Sequence, residues 1–188
     1  TLDRSSAASD VYKRQHQERT QGLRYLIVCE GSKTEPNYFR EFRQIHSLPT
    51  SMVSVESSDG SSPDRVVSHA ETLYEQDAKL GCDNYDQVFC VFDRDQHDSY
   101  APALLRIQEL KNQNKPFVAI NSVPCFEYWL LLHFVYTRQP FSATGNQSAC
   151  DAVIRELRKK SEFNDYKKGC QNTVSYTHLR AHETVLDL

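Results

Sequence analysis

The chain has no long apolar run. Its greasiest stretch, Trp129 to Tyr136, is far too short to span a bilayer and is interrupted by His133. It has no Cys-x-x-Cys pair either. The six cysteines (Cys29, Cys82, Cys90, Cys125, Cys150 and Cys170) are scattered, and Cys29 and Cys90 fall inside apolar segments. They read as reduced, mostly buried thiols of a cytosolic protein, and a zinc site is not expected from their spacing. Positive charge is not in excess: 22 Lys and Arg stand against 25 Asp and Glu, for a formal charge of −3. No global basic field therefore advertises nucleic acid, although a local patch or a metal ion can do the same work. What remains is the composition of one globular domain, 188 residues with 39% hydrophobic and 25% charged side chains.

The two ends stand apart from the rest. The segment closing on Asp10-Val-Tyr-Lys-Arg-Gln15 has no usable periodicity, and Val174 to Leu188 is equally unlike what precedes it. Both look like translated adapter read-through, so residues 1–15 and 173–188 are read as artefactual and 16–172 as the domain. The natural chain is expected to run on beyond the point where this one stops.

Within the domain, Val88 to Phe92 is an unbroken apolar run ending in Asp93 and Asp95. It reads as a buried strand over 87–93, and the i, i+2 spacing places both acids on one face of extended chain. Tyr25 to Cys29 is a second buried strand and ends at Glu30-Gly31, where Gly31 lets the chain turn. Thr34-Glu35-Pro36 opens a helix over 36–46, with Tyr38, Phe39, Phe42 and Ile45 on its inner face. Short strands follow at 52–55 and 116–121. Helices are expected from Pro63 to about residue 80 and from Ser99 to Asn112. Another, apolar nearly all round, is expected over 126–134 after Pro124. A last amphipathic helix carries Val153, Ile154 and Leu157, with Arg155, Arg158, Lys159 and Lys160 on its other face.

Strand and helix alternate four times, which predicts a parallel α/β sheet flanked by helices. Ligands in such sheets sit beyond the carboxyl ends of the strands. Glu30, Asp93 and Asp95 all fall at that edge, a set of oxygen donors suited to a divalent cation. Taken alone, Asp-Arg-Asp after a strand is equally an ordinary polar turn.

Leu26-Ile-Val-Cys-Glu-Gly31 followed by Val91-Phe-Asp-Arg-Asp95 resembles the Toprim domain. Together with Val28-Cys-Glu-Gly-Ser-Lys-Thr-Glu-Pro-Asn-Tyr-Phe39 and Pro124-Cys-Phe-Glu-Tyr-Trp-Leu-Leu-Leu-His-Phe134, the pattern looks more closely like the RloB family over residues 24–170. The resemblance implies a Toprim-like four-stranded parallel sheet with added C-terminal helices. It implies a Mg²⁺- or Mn²⁺-dependent nuclease of phage defence or abortive infection, acting on DNA or RNA, tRNA included, beside an AAA- or ABC-type ATPase. The alternative it leaves open is a non-catalytic Toprim-like binding or signalling module.

The resemblance also assigns residues. Asp93 and Asp95 match metal ligands, Glu30 a ligand or general base, and Glu127 a further acidic ligand. Lys33 lies where it could donate to a phosphate, and His97 is a second candidate acid or base. Where related Toprim sequences carry a second acid four residues after the first Glu, this chain has Thr34. Glu35 is one residue further on, as well placed to favour the helix dipole as to reach a metal. Glu127, in the first turn of a greasy helix, is costly to bury unless it is paired or metal-bound. His133 reads as a core residue bonded to a backbone carbonyl.

Overall fold

The computed structural model describes residues 22–81, 84–94 and 98–177. Four parallel strands form its sheet: β1 (Tyr25–Cys29), β2 (Val53–Ser57), β3 (Gln87–Asp93) and β4 (Phe117–Ser122), in the order β2-β1-β3-β4. Helix α1 (Thr34–Ile45) links β1 to β2, α2 (Pro63–Lys79) links β2 to β3, and α3 (Tyr100–Asn112) links β3 to β4. After β4 come α4 (Glu127–Leu132), α5 (Ala149–Leu157), a 3₁₀ turn at Ser161–Phe163 and helical residues 173–177. This is the α/β architecture with a four-stranded parallel sheet and added C-terminal helices that the residue pattern predicts.

The strand order explains where the helices go. The first crossover moves outward from β1 to β2, and the next passes back over β1 to β3. Right-handed crossovers then put α1 on one face and α2 and α3 on the other. The second face is closed. Leu26, Val28, Val88, Cys90, Phe92 and Phe117 pack there against Val66, Val67 and Ala70 of α2 and Ala103, Ile107 and Leu110 of α3.

The α1 face is only partly covered. Tyr25, Ile27, Phe89 and Ile120 line an apolar groove of about 600 Å³ with Phe39, Phe42 and Trp129. Helix α4 is therefore not buried all round as its composition suggests: Trp129 is 46% exposed and opens onto this groove. His133 makes the expected carbonyl bond, Nδ1 to Trp129 O at 2.9 Å, but is only half-buried.

A second core lies over the carboxyl edge. Tyr38 of α1 meets Phe126, Leu130 and Leu131 around α4, Val153, Ile154 and Leu157 of α5, then Phe163 and Tyr166. Ser148 caps α5 in a reciprocal box with Asp151. Residues 173–177, set outside the domain in the sequence reading, are helical and Val174 is buried in this core. Glu41 of α1 accepts from the backbone N–H groups of Val174 and Ser175 at 3.2 and 3.1 Å.

Candidate metal centre

β1 and β3 are neighbours between which the connection reverses direction, the place where an open parallel sheet leaves a crevice beyond its strand ends. Glu30 follows β1 and continues the ladder, its N–H donating to Val91 O at 2.9 Å. Its carboxylate then reaches across the crevice and accepts the Asp93 N–H at 3.1 Å. Backbone pairing thus holds two of the expected acids side by side. Asp95 and His97 lie outside the described residues.

Helix α1 supplies an acid that spacing alone leaves open. Glu35 sits in its first turn and is buried, turned back over Gly31 so closely that a Cβ at Gly31 would collide with the Glu35 carboxylate. The absence of a side chain at Gly31 leaves the space that this carboxylate occupies. Burial raises the Glu35 pKa, and Glu127 and Glu30 push it the same way; a backbone hydrogen bond and Lys168 pull against them. Glu127, at the start of α4, is 2% exposed. Its Oε1 accepts from Tyr166 Oη at 3.1 Å and its Oε2 from Cys150 Sγ at 3.4 Å.

The four acids feel one another at Asp93. Burial comes first, then Glu35, Glu127 and Glu30, and together they push the Asp93 pKa up to about 8, with a hydrogen bond from the Phe126 backbone in opposition. The donor set of Glu30, Glu35 and Asp93 is all oxygen, the donor chemistry that a hard divalent cation such as Mg²⁺ or Mn²⁺ takes; among the described residues, the acids whose ligand atoms gather within 4.8 Å of two others are confined to the group of Cys125, Glu127 and Cys150.

That crowding has a pH signature. Unfolded, Asp93 would titrate near 3.8; folded, it holds its proton to about 8. Between those values the folded state binds a proton that the unfolded state lacks, so stability falls as pH rises and is lowest above the folded value. In chelator, Tm at pH 5.5 should exceed Tm at pH 8.5 by about 4 °C or more, and Asp93→Asn should flatten the difference. A wild-type Tm that climbs across that window would contradict the crowded site.

The other expected residues divide. Lys33 is exposed just before α1, its stem packed against Gly169. A cation that acts on Glu35 and Glu127 is Lys168, which sequence spacing did not single out. Burial alone would lower its pKa, yet Glu127, Cys150 and Cys125 together raise it. The loop that carries it is pinned to α1, with Gly169 N donating to Thr34 Oγ1 and Asn37 Nδ2 to Gly169 O, both at 3.0 Å. The basic face of α5 is largely spent internally. Arg158 donates twice to Tyr166 O, Lys159 pairs with Glu156, and Arg155 bonds Gln147.

The model for the RloB-like protein family matches residues 25–184. No curated protein and no solved structure matches the chain. The matched span holds the whole sheet, the carboxylates at its edge and the second core that closes over them, and the chain belongs to the RloB-like protein family.

Proposed function

We propose that this protein is a metal-dependent phosphodiesterase that cleaves DNA or RNA in phage defence, in concert with a partner ATPase. One observation carries the reading: Glu30 and Asp93 are held side by side at the carboxyl edge of β1 and β3 by a hydrogen bond of 3.1 Å, with buried Glu35 and Glu127 close enough to act on Asp93. Asp93 and Glu30 would hold Mg²⁺ or Mn²⁺, with Glu35 beside them and Asp95 completing the set. Bound there, the ion neutralises charge on the phosphate oxygens and activates a water.

The chain's own groups prepare that site. The Asp93 N–H fixes the Glu30 carboxylate, so the two acids need little rearrangement to act together. Burial against the second core excludes water from Glu35 and Glu127 and strengthens every charge interaction there. Lys168 brings a positive charge to the rim, and exposed Lys33 is free of the core to meet a phosphate as a point charge.

The test is cleavage of duplex DNA, single-stranded DNA and tRNA by the purified chain in Mg²⁺ or Mn²⁺, with and without the ATPase. Cleavage that chelator abolishes is the expected result. Binding without cleavage under every condition would instead establish the signalling module. The Tyr166 and Cys150 bonds that already satisfy Glu127 are the observation that favours this second reading.

A further inference from the structure

The oxygen-donor site makes no use of two thiols gathered against its rear wall. Cys125, two residues before Glu127, is 3% exposed. Cys150 lies in the first turn of α5. The sulfur of each and a carboxylate oxygen of Glu127 all lie within 4.8 Å of one another. The twenty-odd residues between the two cysteines hide the group from any reading of local spacing.

Three features make this a ligand set and more than a chance meeting of buried thiols. The first is distance. Metal–sulfur bonds of about 2.3 Å and metal–oxygen bonds of about 2.0 Å in a tetrahedron put sulfur and oxygen about 3.5 Å apart. Cys150 Sγ and Glu127 Oε2 stand 3.4 Å apart. The second is orientation. Tyr166 Oη holds Glu127 Oε1 at 3.1 Å, turning the other oxygen toward the sulfurs, as an outer-shell partner does for a ligating carboxylate. The third is charge. Two thiolates and a carboxylate around a divalent cation leave one net negative charge, and the Lys168 ammonium lies beside Cys150 and Glu127 to balance it.

We propose that Cys125, Glu127 and Cys150 bind a thiophilic divalent cation of the Zn²⁺ type, separate from the hard cation at Asp93. Sulfur donors select such an ion over Mg²⁺, and three protein ligands leave a fourth tetrahedral position for a solvent or substrate oxygen. Binding forms two metal–sulfur bonds and one metal–oxygen bond and releases two thiol protons to solvent. The ion ties α4 to α5 and locks Glu127 in place behind Asp93.

The experiment is a titration of the reduced, metal-free full chain with Co²⁺ as the probe, followed by Zn²⁺ competition. A thiolate-to-cobalt charge-transfer band saturating at a single ion per chain is expected. Cys150→Ser, at a half-buried position that tolerates a smaller atom, should bring the band to about half and weaken binding about 100-fold or more. Tyr166→Phe should weaken it about 10-fold, and Glu71→Gln, on α2 at the opposite face of the sheet, should leave it unchanged. The absence of the band in wild type would overturn the site, as would a band of undiminished intensity in both Cys125→Ser and Cys150→Ser. Should neither serine variant fold, proton release on Zn²⁺ addition to wild type decides. Two protons per ion support the site and none refutes it. These readouts do not depend on whether the protein cuts nucleic acid.

Discussion

Asp93→Asn should lower the proposed metal-dependent cleavage about 10³-fold while making the metal-free protein more stable at pH 8. The two effects share one cause. Asn keeps the side chain's volume and can still accept the Phe126 N–H, so packing is preserved. It removes the charge that a bound cation needs, and the loss of several kcal/mol of charge stabilisation corresponds to roughly three powers of ten in rate. The same charge is unwelcome in the metal-free fold, crowded by Glu35, Glu127 and Glu30, so losing it relieves repulsion. A variant merely damaged in folding would lose activity and stability together. Cleavage by Asp93→Asn at the wild-type rate would refute the assignment of the metal site.

Phe163→Ala should destabilise the chain by about 3–5 kcal/mol, read as a lowered urea midpoint at unchanged slope. Phe163 is 2% exposed and meets Phe134, Tyr166 and Tyr176 with ring centroids 5.3, 5.6 and 5.4 Å apart. Truncation opens a cavity among three aromatic neighbours that have little room to collapse into it. It also loosens Tyr166, the residue that orients Glu127, so damage should spread from the core to the site. Phe163→Leu fills most of the volume and should cost less than half as much. Equal midpoints for Phe163→Ala and wild type would show that this second core contributes no stability.

The fold was legible wherever burial wrote itself into consecutive residues. The runs at Tyr25–Cys29 and Val88–Phe92 are apolar without alternation because both faces of these central strands carry apolar side chains, one closed by α2 and α3 and the other lining the groove beside α1, and the structure has strands at both. Helix α1 starts at Thr34, two residues ahead of the proline signal. The exposure of Trp129 was not legible, because a helix rich in large side chains looks the same whether it is enclosed or borders an open groove. In the site, Glu30 and Asp93 were readable because each ends a strand. Glu35 was undecided from spacing, since only the path of the chain after Gly31 brings it back over β1. Tyr166, Lys168 and Cys150 left no local signal at all. Their partner Glu127 lies 39 residues from Tyr166 and 23 from Cys150, and only tertiary packing brings them together.

The pinning of the Lys168 loop onto α1 sets an order of events at the ribosome. Glu30, Glu35 and Asp93 emerge first, and the strands that carry them can pair as soon as β3 is out. Lys168 follows 75 residues after Asp93 (168 less 93), which at about 5–20 residues per second means about 4–15 s. Throughout that interval the acids stand without the Lys168 charge and the Tyr166 hydroxyl. The crevice is complete only once the Lys168 loop has folded back onto α1, so an activity of the proposed kind would assemble later than the acids that carry it.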